Sequence, residues 1–372
     1  MKSIIVVGGG ILGASTTYHL AKKGIKVTLI DRQEPGQATN AAAGIICPWL
    51  SQRRNKAWYQ LAKSGAAYYK ELISMLEEDG EIETGYKRVG AISIHNDDEK
   101  LEKMEKRAVQ RRSDAPEIGE ITRLTQEETQ NLFPVLSNEY SALHISGGAR
   151  VDGSALCSAL ISAAKKHGAE LRFGNASLLT ENNQITGVRV HDEELFADKV
   201  ILTAGAWASE LLIPLGINFL ITSQKAQIIH LKIDDLKTDT WPVVMPPNDQ
   251  YILSFNPNKI VVGATHENNI GFNERITAGG IHEILDKALK VAPGLAAAEI
   301  VETRVGFRPF TPGFLPVIGK IPGTEGMLLA NGLGASGLTV GPYLGAELAK
   351  LALDINTEID LSLYPVEEAL GK

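Results

Sequence analysis

The stretch VVGGGILGAS, Val6 to Ser15, places three consecutive glycines between an apolar run and a segment with helical spacing. Upstream, Lys2 to Val7 is apolar and β-branched without period-two alternation, the pattern of a strand buried on both faces of a parallel sheet. Downstream, Ile11, Leu12, Ser15, Thr16, His19, Leu20 and Lys23 recur at helical spacing, and Gly24 supplies a left-handed stop. A second strand, IKVTLID, ends at Asp31. Gly8, Gly10 and Gly13 thus form G-x-G-x-x-G inside a strand, turn, helix, strand unit, with an acid about 20 positions beyond the first glycine. Gly8 permits the tight turn, Gly10 lets a pyrophosphate approach the backbone, and Gly13 lets the helix pack against the sheet. The helix start offers free N–H groups and partial positive charge to phosphates, and Asp31 can accept from a ribose. NAD, NADP and FAD all satisfy this pattern, and Arg32 beside Asp31 admits a 2′-phosphate.

Bulk composition narrows the classes. The chain has 372 residues, 44% hydrophobic and 22% charged, enough for one large domain or two closely joined ones. A net charge of -7 with no dominant Lys/Arg cluster argues against a nucleic-acid or anionic-membrane surface. Cys47 and Cys157 have neither metal-type spacing nor a disulfide framework, which suits a reducing compartment and two small buried side chains. No metal site is expected. The N-terminus mimics a signal peptide in setting a Lys before an apolar stretch, but the glycines interrupt it and helical periodicity continues through Leu20. No run reaches the roughly 18 uninterrupted apolar residues of a membrane span. A cytoplasmic location is the expectation.

The next segment, RQEPGQATNAAAGIICPW, is rich in small residues and has no helical stripe, as expected where backbone runs against something flat. A glycine unit ending in an acid and followed by an A-A-A-G loop resembles the D-amino-acid oxidase superfamily of FAD enzymes. Three further segments extend the resemblance over nearly the whole chain. ARVDGSALCSALISAAKKHGAEL reads as a helix capped by Asp152, with Leu156, Ala159, Leu160 and Ala163 on one face and Gly168 as the stop. DKVILTAGAWASELL is a buried strand breaking at Gly205. VGFRPFTPGFLPVIG and GMLLANGLGASGLTVGPYLGAELAKLAL resemble the family's substrate-arginine and flavin-covering segments. Order and spacing are closest to glycine oxidases and the small D-amino-acid oxidases and dehydrogenases.

The fold class expected is α/β, with a Rossmann-like FAD-binding domain and a second substrate domain on a largely antiparallel β-sheet. The short β-branched runs RVGAISIH, QIIHLKI, QYILSF and KIVVGAT supply that sheet. The FAD-binding domain is expected from residues 1–80, 145–212 and 300–372, and the substrate domain from 81–144 and 213–299. The resemblance implies cofactor contacts from Gly8, Gly10, Ile11, Leu12, Gly13, Asp31, Arg32, Ala38, Thr39, Ala43, Gly44, Ile45, Gly205, Gly334, Ala335, Ser336, Gly337, Leu338 and Thr339. Gly332, Gly334 and Gly337 also have a physical reading as an open loop between the strand Met327 to Ala330 and a helix beginning near Val340. Its helix N-terminus would stabilise the anion of a reduced flavin without a titrating side chain.

On the substrate side, a carboxylate bound away from water is met by a planar guanidinium with two parallel hydrogen bonds. Arg308 in GFRPFTPG matches the family's carboxylate-holding arginine, while Arg304 reads as structural. Tyr251 in QYILSF matches the active-site tyrosine, and His266 in VGATHE falls where the family lines its pocket. His230 and Lys232 are expected on the solvent side of their strand. Ala335 stands where glycine oxidases have a second arginine, which puts glycine in doubt as substrate and leaves room for a larger or differently charged group. No residue for covalent flavin attachment is evident, so FAD is expected to bind noncovalently. The reaction implied is oxidative deamination of a small amino acid or secondary amine by hydride transfer to flavin N5, with oxygen or a quinone as acceptor. Homo-oligomer formation is left open. Two rival readings are an NAD(P)-dependent dehydrogenase, which leaves the A-A-A-G loop without a job, and a non-catalytic flavin scaffold, which has no need of a carboxylate clamp.

Overall fold

The computed structural model describes residues 2–371 apart from Asp235 and Asn256. Ser3–Val7 forms a strand in which every residue after Ser3 is buried. It pairs in parallel with Lys26–Asp31 on one side and Lys199–Leu202 on the other. Its lack of alternation follows from that central place, since both faces are covered: Ile4 and Val6 pack towards the helices, and Ile5 and Val7 towards the three-stranded sheet Ala176–Glu181, Gln184–Val190, Glu193–Phe196. The six-stranded sheet runs Val317–Gly319, Met327–Asn331, Lys199–Leu202, Ser3–Val7, Lys26–Asp31, Glu170–Phe173, and only the Val317–Gly319 pairing is antiparallel.

The helix Ile11–Lys22 packs against both Gly153–Lys166 and the closing helix Gly337–Ala352. Its contact with the closing helix is very close, because a Cβ on Gly345 would stand 2.6 Å from the Ser15 Cβ. Ser15 Oγ donates to the Pro342 carbonyl at 2.7 Å, fixing the two helices together. The helix Lys56–Glu78 lies on the other flank, where Gly65 leaves room for the Thr339 carbonyl and Tyr69 Oη donates to Leu338 at 2.6 Å. These contacts bring the starts of the first and last helices to one edge of the sheet.

A second, eight-stranded sheet has the order Glu299–Phe310, Thr222–Lys232, Lys259–Gly263, Tyr251–Phe255, Val243–Met245, Ala91–His95, Ser141–Ile145, Ile121–Leu124. All its pairings are antiparallel except Val243–Met245 with Ala91–His95. The helix Ala278–Val291 packs on it and buries Ile284, Ala288 and Val291. The strand Glu299–Phe310 differs from the sequence grouping, which placed everything from residue 300 with the cofactor-binding part. It pairs along its length with Thr222–Lys232, so a segment late in the chain belongs to this sheet.

His230 also departs from expectation. It is buried, with Nδ1 2.9 Å from Glu302 Oε1, because its strand is interior to the sheet and flanked on both sides. Lys232 is exposed, and Cys47 and Cys157 are buried free thiols. The closing helix starts at Gly337, earlier than Val340, after a short turn at Gly334–Ser336. Among the described residues no helix is long and apolar enough to cross a membrane, and no cluster of His, Cys, Asp or Glu is arranged to hold a metal.

Candidate active site

A cavity of about 550 Å³ opens where the two sheets meet. Its first wall is the glycine turn. Gly8 has φ +106°, and a Cβ there would stand 2.5 Å from the Thr203 carbonyl oxygen. Gly13 is tighter still, with its hypothetical Cβ 1.9 Å from the Gly8 oxygen, so the helix approaches the strand only because that atom is missing. The first helix has Gly10 as its N-cap and no side-chain cap; Thr39 Oγ1 accepts the Ile11 N–H from across the loop at 3.0 Å. Asp31 accepts from Gly9 N at 2.5 Å, Gln33 N at 2.6 Å and Gln37 Nε2 at 3.0 Å, and it lines the cavity.

The opposite wall comes from the C-terminal glycine loop. Asn331 ties it down, donating from Nδ2 to the Gly205 carbonyl at 2.9 Å and accepting from Gly332 N at 2.7 Å. Gly334, at φ +53°, rests against the Phe310 ring with no room for a Cβ. The closing helix then begins at Gly337, again without a side-chain cap. Around Gly205 and Gly337 a Cβ would meet nothing within 4 Å, since both face the open cavity. Two helix starts whose N-cap residues carry no capping side chain therefore look into one space, which suits a group with a pyrophosphate at one end and an electron-accepting ring at the other. The residues present fit FAD.

Nearly all of the expected cofactor residues line this cavity; Gly13 and Ser336 do not. Gly13 lies behind the turn, where it permits helix packing. Ser336 Oγ turns away to accept from Trp58 Nε1 at 2.9 Å. Arg32 lines the cavity but is matched by two acids, Glu34 at 2.7 Å and Glu210 at 2.8 Å, so the 2′-phosphate reading loses its free cation.

At the far end, tertiary pairing brings Arg308, Tyr251 and His266 to the same wall. Arg308 is opposite Gln224 in register and donates from Nη1 to its Oε1 at 3.0 Å. Tyr251, opposite Gly263, is within hydrogen-bond reach of the guanidinium. Among the described residues no carboxylate forms an ion pair with Arg308, whereas Arg304 is bound to Glu302 at 2.5 Å and to the Asn40 carbonyl at 3.0 Å. A guanidinium lining a cavity without a counter-charge is prepared for an anion from outside. Burial pulls its pKa down, with the Tyr251 phenol opposing. Burial likewise pushes the Tyr251 phenol up to about 12, Arg308 pulling the other way. His266 titrates below the ordinary imidazole range, first through burial and then through the nearby Arg308 charge.

Sequence reasoning missed Asp249, Trp207 and Phe307, which also line the cavity. Asp249 stands in the turn just before the strand Tyr251–Phe255, where no strand periodicity points to it. Trp207 and Phe307 carry no local signal either, because only folding brings them edge-on at 6.2 Å, with Phe272 stacked on Trp207 at 5.1 Å and edge-on to Phe307 at 5.2 Å.

A cavity with phosphate-ready backbone at one end and an unmatched cation at the other defines a dinucleotide-dependent oxidoreductase. The family model DAO, FAD dependent oxidoreductase, matches residues 3–351, and the chain belongs to that family. FAD is its cofactor, and both the NAD(P) reading and the scaffold reading fall away. The chain is 66% identical, over its full length and that of the relative, to the uncharacterized oxidoreductase YurR of Bacillus subtilis (strain 168). It is 29% identical, again over the whole of both chains, to the glycine oxidase of Pseudomonas putida. Among solved structures, iminodiacetate oxidase from Chelativorans sp. BNC1 superposes with a TM-score of 0.95 at 44% identity, covering 97% of this chain and 98% of that one. The protein is an FAD-dependent amine or amino-acid oxidoreductase.

Proposed function

We propose that this enzyme oxidises a small amino acid whose nitrogen is primary or secondary, with the substrate carboxylate held by Arg308 and Tyr251. The single observation that carries the reading is the guanidinium of Arg308, which faces the cavity with only neutral partners, Gln224 and Tyr251. Two parallel hydrogen bonds from Arg308 and one from Tyr251 would hold the carboxylate at this end of the cavity and so orient the α-carbon. FAD, held noncovalently, supplies the acceptor for a hydride at N5. As the α C–H bond breaks, the nitrogen lone pair forms the C=N bond, and water hydrolyses the resulting imino acid to a keto acid and ammonia or an amine. The chain's contribution is orientation and electrostatics.

Within this class a secondary amine is favoured. Ala335 lines the cavity with a short side chain that leaves space for a larger substituent, and the similar iminodiacetate oxidase carries an activity on a secondary amine in its name. Oxygen or a quinone takes the electrons afterwards. The cofactor part corresponds to the six-stranded sheet with its helices, and the substrate part to the eight-stranded sheet. An anaerobic screen of glycine, sarcosine, D-amino acids, D-proline, hydroxyproline and iminodiacetate, following flavin absorbance at about 450 nm, tests the proposal. Bleaching by at least one carboxylate-bearing amine is expected; bleaching by none refutes it.

A further inference from the structure

The groups that can exchange a proton at the reaction end of the cavity are Arg308, Tyr251, His266 and Asp249. The reaction proposed above needs a free nitrogen lone pair, yet a small amino acid arrives as an ammonium ion. Arg308 has no lone pair to offer. Tyr251 holds its proton, since burial pushes its phenol up to about 12. The Asp249 carboxylate is a weak base because Lys287 Nζ donates to both its oxygens, at 2.8 and 3.1 Å. His266 remains, a neutral imidazole on the cavity wall whose side chain is 41% exposed at the mouth, with Nδ1 3.8 Å from Asp249 Oδ2.

We propose that His266 takes the proton from the substrate ammonium before the C–H bond breaks, and that Asp249 is a positioning residue steadying the imidazolium so formed. The proposal rests on the amine-oxidising reading above. In this step the substrate N–H bond breaks with its electron pair left on nitrogen, an N–H bond forms on the imidazole, and the proton then passes to water at the mouth.

The charges facing His266 come from three elements. Arg308 reaches it from Glu299–Phe310, Asp249 from the turn before Tyr251, and Glu283 and Lys287 from the helix Ala278–Val291. Arg308 and Lys287 oppose the imidazolium, while Asp249 and Glu283 favour it. A substrate carboxylate docked on Arg308 cancels the largest of the opposing charges. His266 thus becomes a better base only when a carboxylate is in place, which couples deprotonation to correct binding.

The test uses holoenzyme carrying 15N-labelled histidine, with the His266 signal identified by its loss in His266→Asn and acetate as the carboxylate probe. Saturating acetate is expected to raise the His266 pKa. Asp249→Asn is expected to lower it by about half to one pH unit, and Lys287→Met to raise it by a similar amount. These opposite signs establish that both charges act on the imidazole, and the reduction kinetics then report whether that imidazole takes the substrate proton. In anaerobic stopped-flow with a substrate from the screen, the acid limb of flavin reduction should follow the same pKa in each variant. His266→Asn should lose that limb and slow reduction by about 100-fold. An acid limb unchanged in His266→Asn, or a His266 pKa indifferent to both neighbours, overturns the proposal. Should His266→Asn fail to fold, the Asp249 and Lys287 variants decide alone. Bleaching by no amine removes the functional reading and this proposal together, whereas bleaching that ignores His266 removes only the proposal.

Discussion

Replacing Arg308 by alanine isolates the interaction on which substrate binding is built. Among the described residues the guanidinium makes no ion pair, hydrogen-bonds Gln224 and lies beside the Tyr251 phenol, so its removal sacrifices little that holds the fold together. Tyr251 remains to donate one hydrogen bond to a carboxylate, while the two parallel charge-assisted bonds are lost. At about 1.5–3 kcal/mol for each such bond, the loss is about 3–6 kcal/mol. Affinity for a carboxylate ligand should then fall by a factor on the order of 100 to 10,000. The assay is a titration of holoenzyme with a small carboxylate such as acetate, read by perturbation of the flavin spectrum, beside a thermal melt. Weakened binding with an unchanged melt is expected. A Kd within about tenfold of the parent would refute the reasoning, because one neutral hydrogen bond is worth only about 1 kcal/mol.

Other perturbations probe the cradle and the core. Gly13→Ala places a methyl 1.9 Å from the Gly8 oxygen and 2.6 Å from Thr203 Oγ1, so the first helix must move off the sheet. A stability loss of about 3 kcal/mol or more is expected, and a melting temperature like the parent's would show the contact to be slack. Asp31→Ala removes the acceptor of the Gly9 amide and of a ribose hydroxyl, and should weaken FAD binding by about 10- to 100-fold in an apoprotein reconstitution titration; undiminished affinity would remove Asp31 from the site. His19 lies beside Tyr18 and Tyr68, and burial, helped by Lys23, Lys22 and Lys350, holds its pKa down to about 3. Its folded pKa lies below its unfolded value, so its contribution is complete above about pH 6.5 and fades as pH falls towards 3, at about 1.4 kcal/mol per pH unit at most. His19→Gln should flatten unfolding free energy against pH in that window; an unchanged slope would place the acid sensitivity elsewhere.

The chain read without its structure already determined the nucleotide half, because every signal there is local. Gly8, Gly10, Gly13 and Asp31 act through the strand and helix they adjoin, and Gly13 is crowded by the Gly8 carbonyl of the same turn, although the Thr203 carbonyl that crowds Gly8 arrives from far along the chain. The closing helix and the Asp152 cap were legible for the same reason, the cap donors being Ser154 and Ala155 a turn away. What pairing across the chain decided was different in kind. His230 is buried because two distant strands flank its own, and Glu299–Phe310 joins the eight-stranded sheet because Thr222–Lys232 offers it a free edge. Arg32 is neutralised by Glu34 beside it in sequence and by Glu210, 178 positions away, while Arg308 meets only Gln224 and the phenol of Tyr251. A side chain's type and spacing state what it can do, but whether a charge is matched or left free depends on neighbours that only folding supplies.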